Sequence, residues 1–328
     1  MAAILETDLV IVGGGPAGCA AAVMAASLGM ASVLVEARDR LCSKLYAVPA
    51  LDNVLGGFRT GPELAAAVTR DVERVAGSGD CRLLLGARAD IVETEEPVRG
   101  RRGAAPAAGV VVRLVSGEIV AAPHAVVATG VGPTPPESTS WVAGAEKLRL
   151  PPLWEADLAA CAGRTVLVVG ADRPLGTLLR ALPDTRLDLL VPHPVTDDYK
   201  TEEARRDDRA QLIPVRRLSV ARSEEPATPG PPIAPHPLRA EVELPDGTIR
   251  HLAADAGFLN IGSTPCPPRG DLARDLAGYC PPGRQHPRLL VAGDLRSAGY
   301  QRIMAASGSG AEAALRAYYA RTTTPPPG

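Results

Sequence analysis

Apolar and polar positions divide the N-terminal region into an alternation of short strands and a helix. The run 8–12 is almost entirely apolar and leads into a glycine-rich turn, and an alanine-rich helical segment at 17–28 comes next. A second apolar run at 32–35 then ends at Glu36. Strands that are apolar along their whole length are typical of a parallel sheet covered on both faces. The pattern predicts a β-α-β unit over residues 8–36.

The same order of strand, glycine turn and helix returns over residues 165–191. Elsewhere the periodicity predicts a helix at 61–76, a hairpin of 109–115 and 118–121, strands ending near Gly130, Gly262 and Asp294, a hairpin of 239–244 and 248–252, and a helix at 302–319. Residues 226–237 contain six prolines and are predicted to be an irregular loop, and the tail after Arg321 to be frayed.

Composition and charge narrow the class of protein. The chain has 328 residues, enough for about two domains. Its net charge of −2 gives no electrostatic case for binding nucleic acid or an anionic membrane surface. No apolar run approaches the roughly 18 residues that a membrane-spanning helix needs, and the N-terminus lacks a leader pattern. The six cysteines form no CxxC pair and no zinc spacing, so we expect no metal and a cytoplasmic protein.

The first glycine turn has the context of a dinucleotide site. Gly13 permits the tight turn, Gly15 lets the backbone approach a pyrophosphate, and Gly18 lets the helix pack on the strand. The helix N-terminus then offers free N–H groups to the phosphates. Glu36 lies 23 residues after Gly13, close to the roughly 20 expected of the acidic residue that accepts hydrogen bonds from a ribose. A carboxylate there repels a 2′-phosphate, so the turn favours FAD or NAD over NADP.

Five segments in a fixed order resemble the low-molecular-weight thioredoxin reductases, within the flavoproteins that have two dinucleotide-binding domains. They are Val12-Gly13-Gly14-Gly15-Pro16-Ala17-Gly18, Thr60-Gly61-Pro62-Glu63-Leu64, Ala128-Thr129-Gly130, Asn260-Ile261-Gly262-Ser263-Thr264-Pro265, and Ala292-Gly293-Asp294 with Tyr300-Gln301-Arg302-Ile303. Together they span nearly the whole chain.

The resemblance implies an α/β protein with two Rossmann-like, three-layer (ββα) dinucleotide-binding domains. The FAD domain would be discontinuous, 1–135 and 256–328, and a second, degenerate NAD(P)H-binding-like domain, 136–255, would be inserted into it. The implied cofactor is FAD, and the family favours a homodimer. The FAD-binding residues it implies are Gly13, Gly15, Pro16, Ala17, Gly18, Glu36, Thr129, Gly130, Gly293, Asp294, Gln301, Arg302 and Ile303.

Three family features are missing from the second domain. The redox CxxC would fall at residues 153–156, where Leu153 and Ala156 stand instead of cysteines, and Cys161 has no partner at that spacing. The second turn keeps Gly170 but has Asp172 and Leu175 in place of the other two glycines. The basic cluster that grips a 2′-phosphate would fall at 192–198, a stretch with two aspartates and no arginine. We therefore expect no disulfide relay and no use of NADPH.

The candidate catalytic residues are Asp157, Glu155 and Tyr46. The resemblance places Asp157 at a position that acts as an acid and Tyr46, with Lys44, in a loop that approaches the flavin. A carboxylate in an apolar pocket would have a raised pKa and serve as a base. Trp154 could stack on a planar substrate, and His193 is expected to be a solvated histidine.

Three functions remain open on the sequence alone. The first is an FAD-dependent oxidase or dehydrogenase that acts on a small molecule or a carrier-bound intermediate, as in bacterial secondary metabolism, with no disulfide relay. The second is an NAD(P)H-dependent electron transferase of the ferredoxin or flavodoxin type, a branch that also lacks CxxC but keeps a good second turn. The third is a non-catalytic FAD-containing partner protein.

Overall fold

The computed structural model describes residues 4–95, 109–157, 159–223 and 237–321. The predicted tail after Arg321 and, apart from Pro237, the predicted loop at 226–237 lie outside this part of the chain. Within it, no helix is both long and apolar enough to cross a membrane.

In chain order the elements are β1 (Ile4–Glu6), β2 (Leu9–Val12), α1 (Pro16–Ser27), β3 (Ser32–Glu36), α2 (Gly61–Gly77), β4 (Cys81–Leu85), β5 (Ala89–Glu95), β6 (Gly109–Leu114), β7 (Ile119–Ala122), β8 (His124–Val127), β9 (Val131–Pro133), β10 (Val142–Ala143), α3 (Ala145–Leu148), β11 (Thr165–Val169), α4 (Pro174–Ala181), β12 (Asp188–Pro194), β13 (Ala210–Val215), β14 (Arg217–Arg222), β15 (Leu238–Glu243), β16 (Ile249–Ala254), β17 (Ala256–Leu259), β18 (Ser263–Pro265), β19 (Arg269–Gly270), β20 (Leu289–Val291) and α5 (Ile303–Arg321).

The first compact unit comprises residues up to Tyr46, Asp52–Gly132 and the chain from Pro265 onward. Its parallel sheet has the order β20-β8-β2-β3-β4, and a second sheet has the order β1-β7-β6-β5-β19. Val10, Val12 and Val33 share a buried core with Val110 and Val112 of the second sheet. Both faces of the parallel sheet are therefore covered, which explains the continuous apolar runs of β2 and β3.

The second unit comprises Ala47–Leu51 and Pro133–Thr264, and it repeats this plan. Its parallel sheet has the order β13-β12-β11-β17, and its other sheet has the order β10-β14-β15-β16. Val166 and Val168 of β11 pack with Leu175 of α4, whereas Leu167 and Val169 pack with the second sheet. Alternate residues of one strand thus fill two different cores.

The structure confirms the α/β fold and both predicted hairpins, since β6 with β7 and β15 with β16 are antiparallel pairs. The predicted domain bounds are corrected. Residues 47–51, 133–135 and 256–264 are expected in the first domain but belong to the second unit, where β17 pairs with β11. The strands β13 and β14 were not predicted, because Pro214 interrupts the apolar pattern of the first and an arginine stands at each end of the second.

Helices α1 and α5 of the first unit pack through small residues. An ideal Cβ placed on Gly310 of α5 would lie 1.9 Å from the carbonyl oxygen of Ala17, so only glycine allows this approach. The buried residues of α5 are Ala306, Ser309, Gly310, Ala313, Ala314 and Ala317. This close contact fixes where the N-terminus of α1 lies.

Replacement of Gly310 by alanine tests that contact. The added methyl group must push α5 away from α1, and overpacking of this kind costs about 1–3 kcal/mol of unfolding free energy. The matched control is Gly308→Ala in the same helix, where a Cβ would meet no atom within 4 Å. That control is expected to be neutral or to gain up to about 1 kcal/mol from helix propensity. Thermal denaturation compares the two; equal melting temperatures would contradict the packing described.

Candidate FAD site

The first glycine turn joins β2 to α1 and is held by backbone contacts. Gly13 has φ +108°, and its N–H donates to the carbonyl oxygen of Val35 at 2.8 Å. An ideal Cβ on Gly18 would lie 1.8 Å from the carbonyl oxygen of Gly13, so the helix can approach the turn only with glycine at this position. Gly15 differs, because a Cβ there would meet no atom within 4 Å. The open space in front of Gly15 is what a bound pyrophosphate requires.

Glu36 is oriented by the turn itself. Its Oε2 accepts a hydrogen bond from the N–H of Gly14 at 2.6 Å, and its Oε1 accepts one from the N–H of Arg38 at 2.7 Å. Each carboxylate oxygen keeps a further lone pair. The carboxylate is thus fixed in place with capacity left for ribose hydroxyl groups.

Two further segments of the first unit contain predicted FAD-binding residues. Thr129 and Gly130 come after β8, and the hydroxyl of Thr129 is buried without a hydrogen-bond partner among the described residues. Such an orphaned polar atom at the end of a sheet strand fits a site that a polar ligand completes. Gly293 and Asp294 lie in a short 3-10 turn after β20, where the N–H of Gly293 donates to the Ser309 hydroxyl at 2.8 Å.

The residues before α5 are tied to the same unit. The Gln301 amide donates to the Tyr279 hydroxyl at 3.1 Å, and the Arg302 guanidinium donates to the carbonyl oxygen of Gln301 at 2.9 Å. Helix α5 begins at Ile303, so its free N–H groups come directly afterwards. All the predicted FAD-binding residues therefore lie in the first unit. The open turn, the oriented carboxylate and the orphaned hydroxyl fit FAD.

The candidate catalytic residues are in different surroundings. Glu155 and Asp157 are exposed residues of the second unit, and Oδ1 of Asp157 accepts the N–H of Ala160 at 3.1 Å, as in a turn cap. Tyr46 belongs to the first unit and is 39% exposed, with the Arg40 guanidinium 4.9 Å above its ring. The structure does not gather these three residues within one unit.

Lys44 lies near the candidate FAD residues. Desolvation lowers the pKa of its ammonium group, while electrostatic interactions with Cys266 and Asp294 oppose that shift. The side chain keeps contact with solvent even though protein atoms surround it. Lys44 is therefore a basic residue close to Asp294, one of the predicted FAD-binding residues.

The second turn has the same backbone hydrogen bond as the first, but the helix that follows it starts at a different position. Gly170 has φ +97° and donates to the carbonyl oxygen of Pro192 at 2.9 Å, as Gly13 does to Val35. Helix α4, however, starts one residue later relative to its glycine than α1 does, at Pro174. Leu175 is buried in the core, and a Cβ on Gly176 would meet the Glu203 side chain at 2.2 Å.

The side chain of Asn260 donates hydrogen bonds to backbone carbonyl groups of this second turn. The Asn260 amide donates to the carbonyl oxygens of Gly170 at 3.3 Å and Asp172 at 2.8 Å. The N–H of Asp172 in turn donates to the carbonyl oxygen of Asn260 at 3.2 Å. Ala128 has the corresponding place beside Gly13, and alanine offers no such donor. A side chain of the same unit therefore holds the second turn by hydrogen bonds, whereas Ala128 cannot do this at the first turn.

Strand register places His193 at the position of Glu36, because each residue directly follows the carbonyl that accepts the turn glycine's N–H. The expectation of a solvated histidine is wrong, since His193 is fully buried. Its Nδ1 lies 3.1 Å from the carbonyl oxygen of Val191 and its Nε2 lies 3.0 Å from Oδ1 of Asp198. The hydrogen bond with His193 is the main cause that lowers the pKa of Asp198, with Arg205 contributing.

Fold and site together define a flavoprotein with two dinucleotide-type units. Residues 7–171 match the family model described as pyridine nucleotide-disulphide oxidoreductase. The chain belongs to this family, and its cofactor is FAD.

Individual relatives are more distant. A segment of 104 residues is 36% identical to a ferredoxin–NADP reductase of Ralstonia pickettii, covering 30% of this chain and only 27% of that protein. Among solved structures, thioredoxin reductases of Lactococcus lactis and T. acidophilum each have a TM-score of 0.74 at 18% identity, covering 95% and 97% of this chain and 98% and 99% of theirs. The bacillithiol disulfide reductase of Bacillus cereus has a TM-score of 0.65 at 19% identity, with 96% and 99% covered. These structures share the fold.

Replacement of Gly15 by alanine tests the FAD site. The residue has φ −77° and open space at its Cβ, so the apoprotein should keep its melting temperature. The methyl group would fill the space needed by the cofactor, so the Kd for FAD should rise at least about tenfold, or about 1.4 kcal/mol. Fluorescence titration of the apoprotein with FAD measures this. Gly77→Ala, also with open space at its Cβ, is the control and should bind FAD as the wild type does.

Proposed function

We propose that this protein is an FAD-dependent oxidase or dehydrogenase that has neither a disulfide relay nor an NADPH half-reaction. Its substrate, a small molecule or an intermediate tethered to a carrier protein, would reduce the flavin directly. Oxygen or another acceptor would then reoxidise it. A role in bacterial secondary metabolism, a cytoplasmic location and a homodimeric state are parts of the same proposal.

The missing thiols support the first half of the proposal. Leu153, at the position of the first redox cysteine, is fully buried in the core of the second unit. Cys161 is 2% exposed, and desolvation together with the charges of Asp157 and Asp255 raises the pKa of its thiol. At neutral pH a buried thiol with a raised pKa is mostly in its unreactive protonated form, so it would exchange with a substrate disulfide only slowly. No CxxC occurs anywhere in the sequence.

The His193–Asp198 pair is the observation that supports the second part of the proposal, the absence of an NADPH half-reaction. In the first turn the corresponding position holds Glu36 with lone pairs free for a ribose. In the second, the histidine is buried and its Nε2 is engaged by a carboxylate. Asp198 also repels a phosphate, and Arg205 lies 3.7 Å from it rather than free to grip one. The braced turn and this pair oppose binding of a nicotinamide dinucleotide.

When bound, FAD supplies the acceptor for a hydride equivalent from the substrate. The protein's own part is to hold the cofactor and to move the accompanying proton. Glu155 and Asp157 are proposed as the bases that accept this proton, and Tyr46 as a residue that orients the substrate. Their exposed surroundings among the described residues are compatible with exchange of that proton with solvent.

The ferredoxin–NADP reductase relative favours the second candidate, an NAD(P)H-dependent electron transferase. That similarity covers 30% of the chain. The second turn distinguishes the two candidates, because an electron transferase of this kind depends on a working nicotinamide site. A non-catalytic FAD-containing partner protein is the third candidate.

Anaerobic reduction tests the proposal. Mixing the FAD-loaded protein with excess NADH or NADPH should leave the visible absorbance of oxidised flavin unchanged. Photoreduction should bleach it, which is the positive control, and air should restore it rapidly. Rapid bleaching by either nicotinamide would overturn the proposal and favour the electron transferase. A photoreduced protein that air does not reoxidise would argue for a dehydrogenase with another acceptor, or for the non-catalytic role.

A further inference from the structure

Two cysteines that the proposed reaction does not use lie side by side under the first glycine turn. The sulfur atoms of Cys19 and Cys42 are 3.8 Å apart, and the two residues are 0% and 2% exposed. Cys19 lies in the first turns of α1, whereas Cys42 lies in the loop after β3. Cys42 has φ +51°, a left-handed conformation that a residue with a side chain seldom adopts.

Both residues hold the same carbonyl group. The N–H of Cys42 donates to the carbonyl oxygen of Gly14 at 2.8 Å, and the thiol of Cys19 donates to it at 3.3 Å. Gly14 in turn donates its N–H to Glu36, the carboxylate predicted to bind ribose. A movement of either cysteine is therefore transmitted to the turn and to Glu36.

We propose that Cys19 and Cys42 form an oxidative modification site at which peroxide closes a disulfide and weakens FAD binding. One thiol gives up its proton and attacks a peroxide oxygen, which releases water and leaves a sulfenic acid. The second thiol displaces that hydroxyl group as a second water. Two thiols and one hydrogen peroxide thus give one disulfide and two waters.

The geometry gives the direction of the effect. A disulfide is about 2.05 Å long, so the sulfur atoms must approach by roughly 1.7 Å. That movement draws the loop after β3 towards α1. Leu41 of the same loop already packs closely on the turn, since a Cβ on Gly14 would lie 2.6 Å from it. The turn must shift, and its fit to the pyrophosphate is lost.

The surroundings set the speed of the reaction. The hydrogen bond with Cys42, and then desolvation, raise the pKa of the Cys19 thiol well above its ordinary value. The thiolate is the reacting form, so oxidation should be slow at neutral pH and faster as the pH rises. The site would respond to sustained peroxide. A flavin that oxygen reoxidises is such a source, and this link alone rests on the proposed function.

The experiment uses the full-length, FAD-loaded protein with Cys266→Ser, because Cys266 is the exposed thiol and would react first. This leaves five of the six cysteines. After incubation with hydrogen peroxide at neutral and alkaline pH, denaturation and thiol counting should give three free thiols. Peptide mapping should find Cys19 joined to Cys42, and the Kd for FAD should be raised about tenfold and restored by a dithiol reductant.

Two variants serve as controls in the same background. Cys42→Ser cannot form this disulfide, so peptide mapping should find no cross-link and its FAD affinity should survive the peroxide treatment, whereas Cys161→Ser should still form the disulfide. A count that stays at five in the parent protein, or a disulfide that leaves FAD affinity unchanged, would overturn the proposal. Both parent readouts stand even where a variant fails to fold. Added peroxide makes the test independent of turnover, so a failure of the oxidase proposal would be seen separately.

Discussion

The contact between Gly18 and the carbonyl of Gly13 is the constraint on which the first unit depends. Because no Cβ intervenes, α1 starts directly at the turn, next to the open space at Gly15. Helix α5 then packs on α1 through Gly310, which fixes Gly293 and Asp294 relative to the turn. One close backbone approach thus organises elements that are far apart in the sequence.

The second unit has a different contact at the matching place, and its turn is altered accordingly. Leu175 enters the core, α4 starts one residue later, and Gly176 packs against Glu203 instead of against the turn. The second unit still has its β-α-β arrangement, because strand pairing and apolar packing hold it together. The surroundings of the turn differ, because Asn260 donates to the turn carbonyl groups and the His193–Asp198 pair stands at the position that Glu36 has in the first unit. On the proposal made above, this unit keeps the fold without a nicotinamide site.

The sequence was sufficient for those parts of the fold and site that depend on local pattern. The apolar runs of β2 and β11, the glycines after them and the missing CxxC are all read from neighbouring residues. It was insufficient where partners are distant. Strand β17 belongs to the second unit because it pairs with β11. The residues around β17 carry no signal that predicts this pairing. His193 was expected to be solvated because the path of the segment that contains its partner, Asp198, is known only from the structure. The signal that could have predicted the pair was Asp198 itself, five residues later in the sequence.

The central claim is that one turn binds a dinucleotide and the other does not. Equilibrium dialysis of the FAD-loaded protein against labelled NADPH measures this without reference to any reaction. We predict one tightly bound FAD per chain and no saturable NADPH binding up to millimolar concentration. Saturable binding of one NADPH per chain would contradict the claim.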